Sequence, residues 1–410
     1  MTQTLLPGEL TLPQAQEHLR RHLTPLQEMV QVPLCHSWQR ILAQDVSAPR
    51  AVPGWDNSAM DGYALRHADL QQATPLPVAH TLLAGAGMPP PLPPGQAMRL
   101  MTGALIPAGA DTVVMQEQVT LHEGAIRVQP GQRLGQHIRR AGEDLPLGGV
   151  VLRQGQRLGA AELGLLGSLG LADIPVVRPL RVALCSTGSE LVTLGQIPGP
   201  GQTFDSNRHT LRALVGALGF ECLDLGVIPD SPEALRTALS SAAGMADVVL
   251  TSGGVSVGEA DFVKPILQEL GQIQFWKIAM KPGRPLAFGT LGAARFFGLP
   301  GNPVAVMVTF LLLVRPALLQ LAGMNPVPEP LQCAVRCTQN LKKALGRMEF
   351  QRGIVARNAQ GEWQVSSTGN QGSGVLRSMS QANCLIVLPA ACTQVAAGDL
   401  VDILPFSGLS

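Results

Sequence analysis

From Leu180 to about Gly323 the chain alternates short apolar runs with stretches of helical spacing, and no other feature limits its fold as strongly. LRVALCSTGSEL is an apolar strand entering a glycine-containing turn, and SNRHTLRALVGALG has the periodicity of a helix with a glycine stop. ECLDLGVIPD reads as the next strand. SPEALRTALSSAAG opens with Ser231 as N-cap and Pro232 at the first helical position, where a missing N–H costs nothing. ADVVLTSGG, the helix DFVKPILQEL, the strands QIQFWKIAM, PLAFGTL and RFFGL, and a long helix from Pro303 complete the pattern. Such alternation predicts a mostly parallel sheet covered on both faces.

The flanks have a different rhythm. Before residue 180, β-like runs (GYAL, AMRLMTG, DTVVMQEQVTL, AIRVQPG, GGVVLRQGQ) alternate with turns, and PQAQEHLRRHL and AAELGLLGSLG are the clear helices. GMPPPLPPGQ reads as an exposed proline-rich loop. After residue 325 the junction NPVPEP leads into EFQRGIVAR, EWQVSST, NCLIVLP and DLVDILP, which suit a small barrel or sandwich. The expected organisation is a multidomain α/β plus β chain. Residues 1–179 form a β-rich N-terminal region of two domains, 180–325 the α/β domain, and 326–410 a small β domain.

Composition fits a well-buried protein with many turns. Of 410 residues, 46% are hydrophobic and 14% charged, with 45 Gly and 33 Pro. A net charge of +1 gives no electrostatic case for nucleic acid. The apolar run Val304–Val314 stops at Arg315-Pro316, short of the roughly 20 residues of a membrane span. No secretory signal opens the chain, so a cytoplasmic, membrane-free protein is expected. Seven scattered cysteines lack zinc or redox spacing and read as reduced and structural.

In an open parallel sheet, ligands bind beyond the carboxyl ends of the strands. Glu190, Asp230 and Asp261 follow three successive strands and would converge on one crevice. Two oxygens from such a set can hold Mg2+, which keeps waters and shares substrate phosphates. Helix capping is the competing account of any one acid. The recurrence at three strand ends favours a site. In TSGGVSVGEAD, Gly253, Gly254 and Ser256 permit close backbone approach to an anion. KIAMKPGRP sets Lys277, Lys281 and Arg284 among stiffening prolines, and LPGNPVAV runs through Asn302 into a helix whose N-terminus attracts anions. There is no G-x-G-x-x-G at this loop, no Walker A motif, no nucleophile elbow, and no metal-ligand spacing among the eight His. The remaining chemistry is metal-assisted work on a phosphate-bearing substrate.

Seven stretches, NSAMDGYA, MTGALIP, RRAGEDL, STGSEL, SGGVSVGEADFVK, MKPGRPL and LPGNPV, come in an order that resembles the molybdopterin molybdenumtransferases, the MoeA proteins and the related E domain of gephyrin. The resemblance covers nearly the whole chain. It implies that the α/β domain binds molybdopterin, and that adenylylated molybdopterin and molybdate react with Mg2+ help to give AMP and molybdenum cofactor. It further implies an elongated homodimer, and as partners the molybdopterin adenylyltransferase or proteins that accept the finished cofactor. By position it implies functional roles for Asp61, Thr102, Glu143, Glu190, Asp230, Asp261, Pro300 and Pro303, with Lys281, Arg284, Arg347 and Ser373 at the oxyanion. One departure is Ala305, where some members carry a hydroxyl. Asp61-Gly62 alone would pass for a hairpin turn, and Tyr63 for a packed anchor. Two rivals are a gephyrin-like scaffold, against which the five motif acids stand, and the adenylyltransferase, against which the flanking domains stand.

Overall fold

The computed structural model describes residues 9–72, 74–254 and 263–408. Its centre is a seven-stranded sheet. In spatial order the strands are Glu9–Leu10, Gly271–Ile278, Pro285–Leu291, Ala294–Leu299, Val248–Ser252, Arg181–Thr187 and Glu221–Ile228. Four neighbouring pairs are parallel, and the two made by Pro285–Leu291 are antiparallel. The predicted mostly parallel sheet is therefore present, with an antiparallel arm. Helices form where their signals stand. Ser231 accepts from the Ala234 N–H at 3.3 Å above Pro232, and Asp205 caps Ser206–Ala217 through the Arg208 N–H at 3.1 Å.

The first strand and helix do not join the N-terminal region in which residues 1–179 were placed. Glu9–Leu10 adds to the edge of the central sheet beside Lys277 and Ile278. Helix Leu12–His22, closed by a Thr11–Gln14 capping box, buries Leu12, Ala15 and Leu19 in the same core as that sheet. Their apolar stripe needs a partner, and the long core helix supplies it. That helix runs Pro303–Leu321 with 83% of an 18-residue window buried, so packing inside the protein accounts for its apolar composition. It passes through a π turn at Phe310–Val314 just before Pro316. Pro316 has no N–H for the Leu312 carbonyl, and the Gln16 side chain donates to that oxygen at 3.0 Å instead.

The N-terminal region is discontinuous. Met29–Pro33 pairs with Asp173–Val177, and Val46–Ser47 with Val150–Leu152, so the chain leaves and re-enters one small domain. Between these passes lies a six-stranded sheet built from residues 62–128. Tyr63 is buried in its core. The C-terminal strands Met348–Arg357, Trp363–Ser367, Cys333–Cys337, Leu400–Pro405 and Cys384–Leu388 each bond to the next, and the last bonds to the first. This is a closed barrel, to which Met280–Lys281 adds a short sixth strand beside Met348–Glu349. All seven cysteines are free.

Candidate active site

The carboxyl ends of Arg181–Thr187, Glu221–Ile228 and Val248–Ser252 open into a cavity of about 740 Å³ roofed by the C-terminal barrel. Glu190 and Asp230 line it together, as their strand-end positions predict. The Asp230 carboxylate accepts from the Ser189 N–H at 2.9 Å, and the Glu190 carboxylate folds back over Gly188. Apart from that bond, neither carboxylate has a hydrogen-bond or ion-pair partner among the described residues. Asp261 and Ser256 lie outside the described residues. Among those described, no group of three metal-ligating side chains gathers. Two hard oxygen donors with unclaimed lone pairs fit Mg2+, which completes its shell with water and substrate oxygens.

Gly253 and Gly254 line the cavity with φ of +88° and +67°. A Cβ on Gly253 would lie 2.5 Å from the Thr187 carbonyl oxygen, so close backbone approach explains this glycine. Its N–H is spent on the Leu299 carbonyl at 3.1 Å, so it does not donate to an anion as the loop's composition suggests. Pro300, Asn302, Ala305 and Ser373 also line the cavity. Pro303 starts the core helix outside the lining. The Val304 N–H, the first donor of that helix, goes to the Ser373 carbonyl at 3.1 Å, which ties the helix start to the barrel and narrows its use as an anion cradle.

The cations sort into two kinds. Lys281 and Arg284 line the cavity, each paired with a buried carboxylate: Lys281 Nζ lies 3.3 Å from Glu349, and Arg284 Nη2 lies 2.6 Å from Glu9. Lys277 stands exposed on its strand, outside the lining. Arg347 is likewise outside it, because the barrel strand turns toward the cavity only from Glu349 onward. The guanidinium that reaches the cavity from this strand is Arg352, which is 1% exposed. Its Nε donates to Ser378 Oγ at 2.9 Å and its Nη2 to the Gly372 carbonyl at 3.0 Å. Among the described residues no carboxylate pairs with it and Nη1 has no partner. Desolvation by burial lowers its pKa, opposed by the Glu349 charge. A buried cation on a cavity wall that no carboxylate touches is chemically suited to an anion.

Arg352 and Glu349 were missed in the sequence because EFQRGIVAR scans simply as a strand. The available signal was its polar content. Glu349, Gln351 and Arg352 are three buried polar residues within four positions of one strand.

Asp61, Thr102 and Glu143 lie elsewhere, on the exposed face of the N-terminal region, and none lines the cavity. Asp61 Oδ1 accepts from both the Thr102 N–H at 2.7 Å and its hydroxyl at 2.8 Å, and these bonds hold the carboxyl below its ordinary pKa. Glu143 accepts from the Arg140 N–H at 2.8 Å. Gly62 follows Asp61 because a Cβ there would lie 2.1 Å from the Val114 carbonyl oxygen.

Three family descriptions tile the chain in this architecture: MoeA N-terminal region (domain I and II) over residues 10–170, probable molybdopterin binding domain over 183–320, and MoeA C-terminal region (domain IV) over 334–406. The molybdopterin molybdenumtransferase of Haemophilus influenzae is 46% identical over 401 residues, covering 98% of this chain and 99% of its own. The chain belongs to the MoeA family. Another relative, the molybdopterin molybdenumtransferase of Nostoc, is 39% identical over 89% of this chain and 86% of its own. The molybdopterin biosynthesis MoeA protein of Pyrococcus horikoshii has the same fold, with a TM-score of 0.84 and 28% identity over 97% of this chain and all of its own. The resemblance read from the seven motifs is thus confirmed, as is the β-rich, α/β and β order of domains.

Proposed function

We propose that this MoeA chain is a transferase of molybdenum cofactor biosynthesis that takes adenylylated molybdopterin and molybdate, cleaves the pyrophosphate link, and releases AMP with molybdenum cofactor. The observation that supports this reading is the buried Arg352 guanidinium, touched by no carboxylate among the described residues, lining one cavity with Glu190 and Asp230. Arg352 and Ser373 hold the oxyanion on the barrel side, while Glu190 and Asp230 on the strand-end side, with Asp261 as its sequence position suggests, would hold Mg2+. When bound there, Mg2+ neutralises charge on the pyrophosphate. Lys281 and Arg284 orient anionic oxygens at the rim. Ala305 contributes only shape, so molybdate receives no side-chain hydrogen bond from that position.

Asp61, Thr102 and Glu143 belong to the reaction through a homodimer in which they approach the cavity of the partner chain. Their exposure and their separation from the cavity of their own chain support this. The protein acts in the cytoplasm, receiving substrate from the adenylyltransferase and passing product to cofactor-accepting proteins. Incubation with adenylylated molybdopterin, Mg2+ and molybdate tests the activity. AMP release that depends on molybdate is expected. AMP release indifferent to molybdate contradicts it, and conversion of ATP and molybdopterin instead would favour an adenylyltransferase.

A further inference from the structure

Glu349 has no place in the roles above, yet its position is an expensive one. It is 4% exposed on the strand Met348–Arg357 and lines the cavity. A buried carboxylate persists only where its charge is answered. Here Lys281 Nζ stands 3.3 Å away and the Gln351 side chain donates to Oε1 at 3.0 Å. The Glu349 charge also reaches the Arg352 guanidinium and the Lys343 ammonium, raising the proton affinity of both. The pair is built on backbone. Met280–Lys281, from the connection between the central-sheet strands Gly271–Ile278 and Pro285–Leu291, bonds in parallel to the barrel strand with Lys281 directly opposite Glu349. One ladder therefore joins the α/β domain to the barrel and sets both ends of the ion pair.

Three cations and three carboxylates line the cavity among the described residues: Lys281, Arg284 and Arg352 against Glu190, Asp230 and Glu349. With Lys281 in contact with Glu349, and Arg284 with Glu9 from outside the lining, Arg352 is left as the lining cation that no carboxylate touches among the described residues. We propose that Glu349 is a positioning residue for the anion, acting through Lys281. It fixes the ammonium and offsets its charge, so that a small dianion settles at Arg352 instead of being captured at Lys281. This inference rests on the functional reading above.

Glu349→Gln keeps the side chain's shape and its ability to accept from Gln351 while removing the charge. The freed Lys281 then attracts molybdate more strongly but in the wrong place. Half-saturating molybdate is expected to fall roughly two- to fivefold, the scale of a half-exposed ion pair, while turnover also falls. Equilibrium dialysis with molybdate alone should show the same tightening without any turnover. Glu349→Asp, which keeps the charge, should return both values toward wild type. In a Lys281→Met background Glu349→Gln should shift molybdate binding much less, since only its weaker reach to Arg352 remains. Unchanged or weaker molybdate binding in Glu349→Gln overturns the proposal, as does a shift of equal size in the Lys281→Met background. Wild-type protein run alongside separates the two levels: if it neither binds molybdate nor releases AMP, the functional reading fails, whereas a normal wild type with an unaltered Glu349→Gln removes only Glu349's role.

Discussion

The cavity under Arg352 and the corner at Asp61 carry similar side chains and are built in opposite ways. In the cavity, charges from strand ends, from a connection between two central-sheet strands and from the barrel are brought together by one continuous core. That core runs from Leu12 through the sheet and core helix to Phe350 and Leu404. At the corner, Asp61 and Thr102 satisfy each other on an exposed surface, and Glu143 closes its own turn. The cavity draws its charged lining from a single chain. The corner is ordered without being enclosed, which is what a surface meeting another chain requires. Four perturbations sharpen that contrast.

Arg352→Met should have the largest effect. It removes the uncompensated charge while roughly keeping volume, and turnover measured as AMP release should drop about 10²- to 10³-fold, the scale for losing a preorganised charge-stabilising donor. A drop below tenfold would mean that the anion sits elsewhere. Asp230→Asn retains an oxygen for the Ser189 N–H but loses a charge. Half-saturating Mg2+ should then rise by at least the roughly tenfold that even outer-shell losses cause. An unchanged Mg2+ titration would remove Asp230 from the metal site.

Gly62→Ala acts on the corner by stability. Its new Cβ collides with the Val114 backbone, and overpacking of this kind costs about 1–3 kcal/mol, visible as a lower Tm. An unchanged Tm would show that the strand can shift. The smallest effect is electrostatic. Because hydrogen bonds from Thr102 depress the Asp61 pKa in the folded state, their stabilisation is present above the ordinary aspartate range and is lost as pH falls through the depressed value. Thr102→Val removes the hydroxyl bond and should move the Asp61 titration upward in an NMR pH series. No movement would mean that the backbone N–H alone sets it.

The α/β domain was legible in the sequence because its signals are local: Asp205 and Ser231 capping two helices, Gly219 after the first of them, and apolar strands between. Glu190 and Asp230 were legible because strand ends share one edge of a parallel sheet. The first strand, Glu9–Leu10, was not. Two residues carry no periodicity, and their partner lies more than two hundred residues away at Lys277 and Ile278. Arg352 escaped for a related reason. Whether an arginine in a strand faces solvent or a buried cavity depends on how the barrel closes, which is set by pairings such as Gly353 with Cys384. Arg347 falls just before the strand turns inward.

The central claim is that corner and cavity form one site only between chains. Asp61→Ala and Asp261→Ala proteins, each inactive alone, should be mixed after subunit exchange has been shown by co-purification of differently tagged chains, and AMP release followed. If the site is shared, each heterodimer contains one doubly damaged site and one intact site, so activity returns to a substantial fraction of wild type. If each chain builds its own site, every site keeps one lesion, and a mixture that exchanges subunits yet stays inactive contradicts the account.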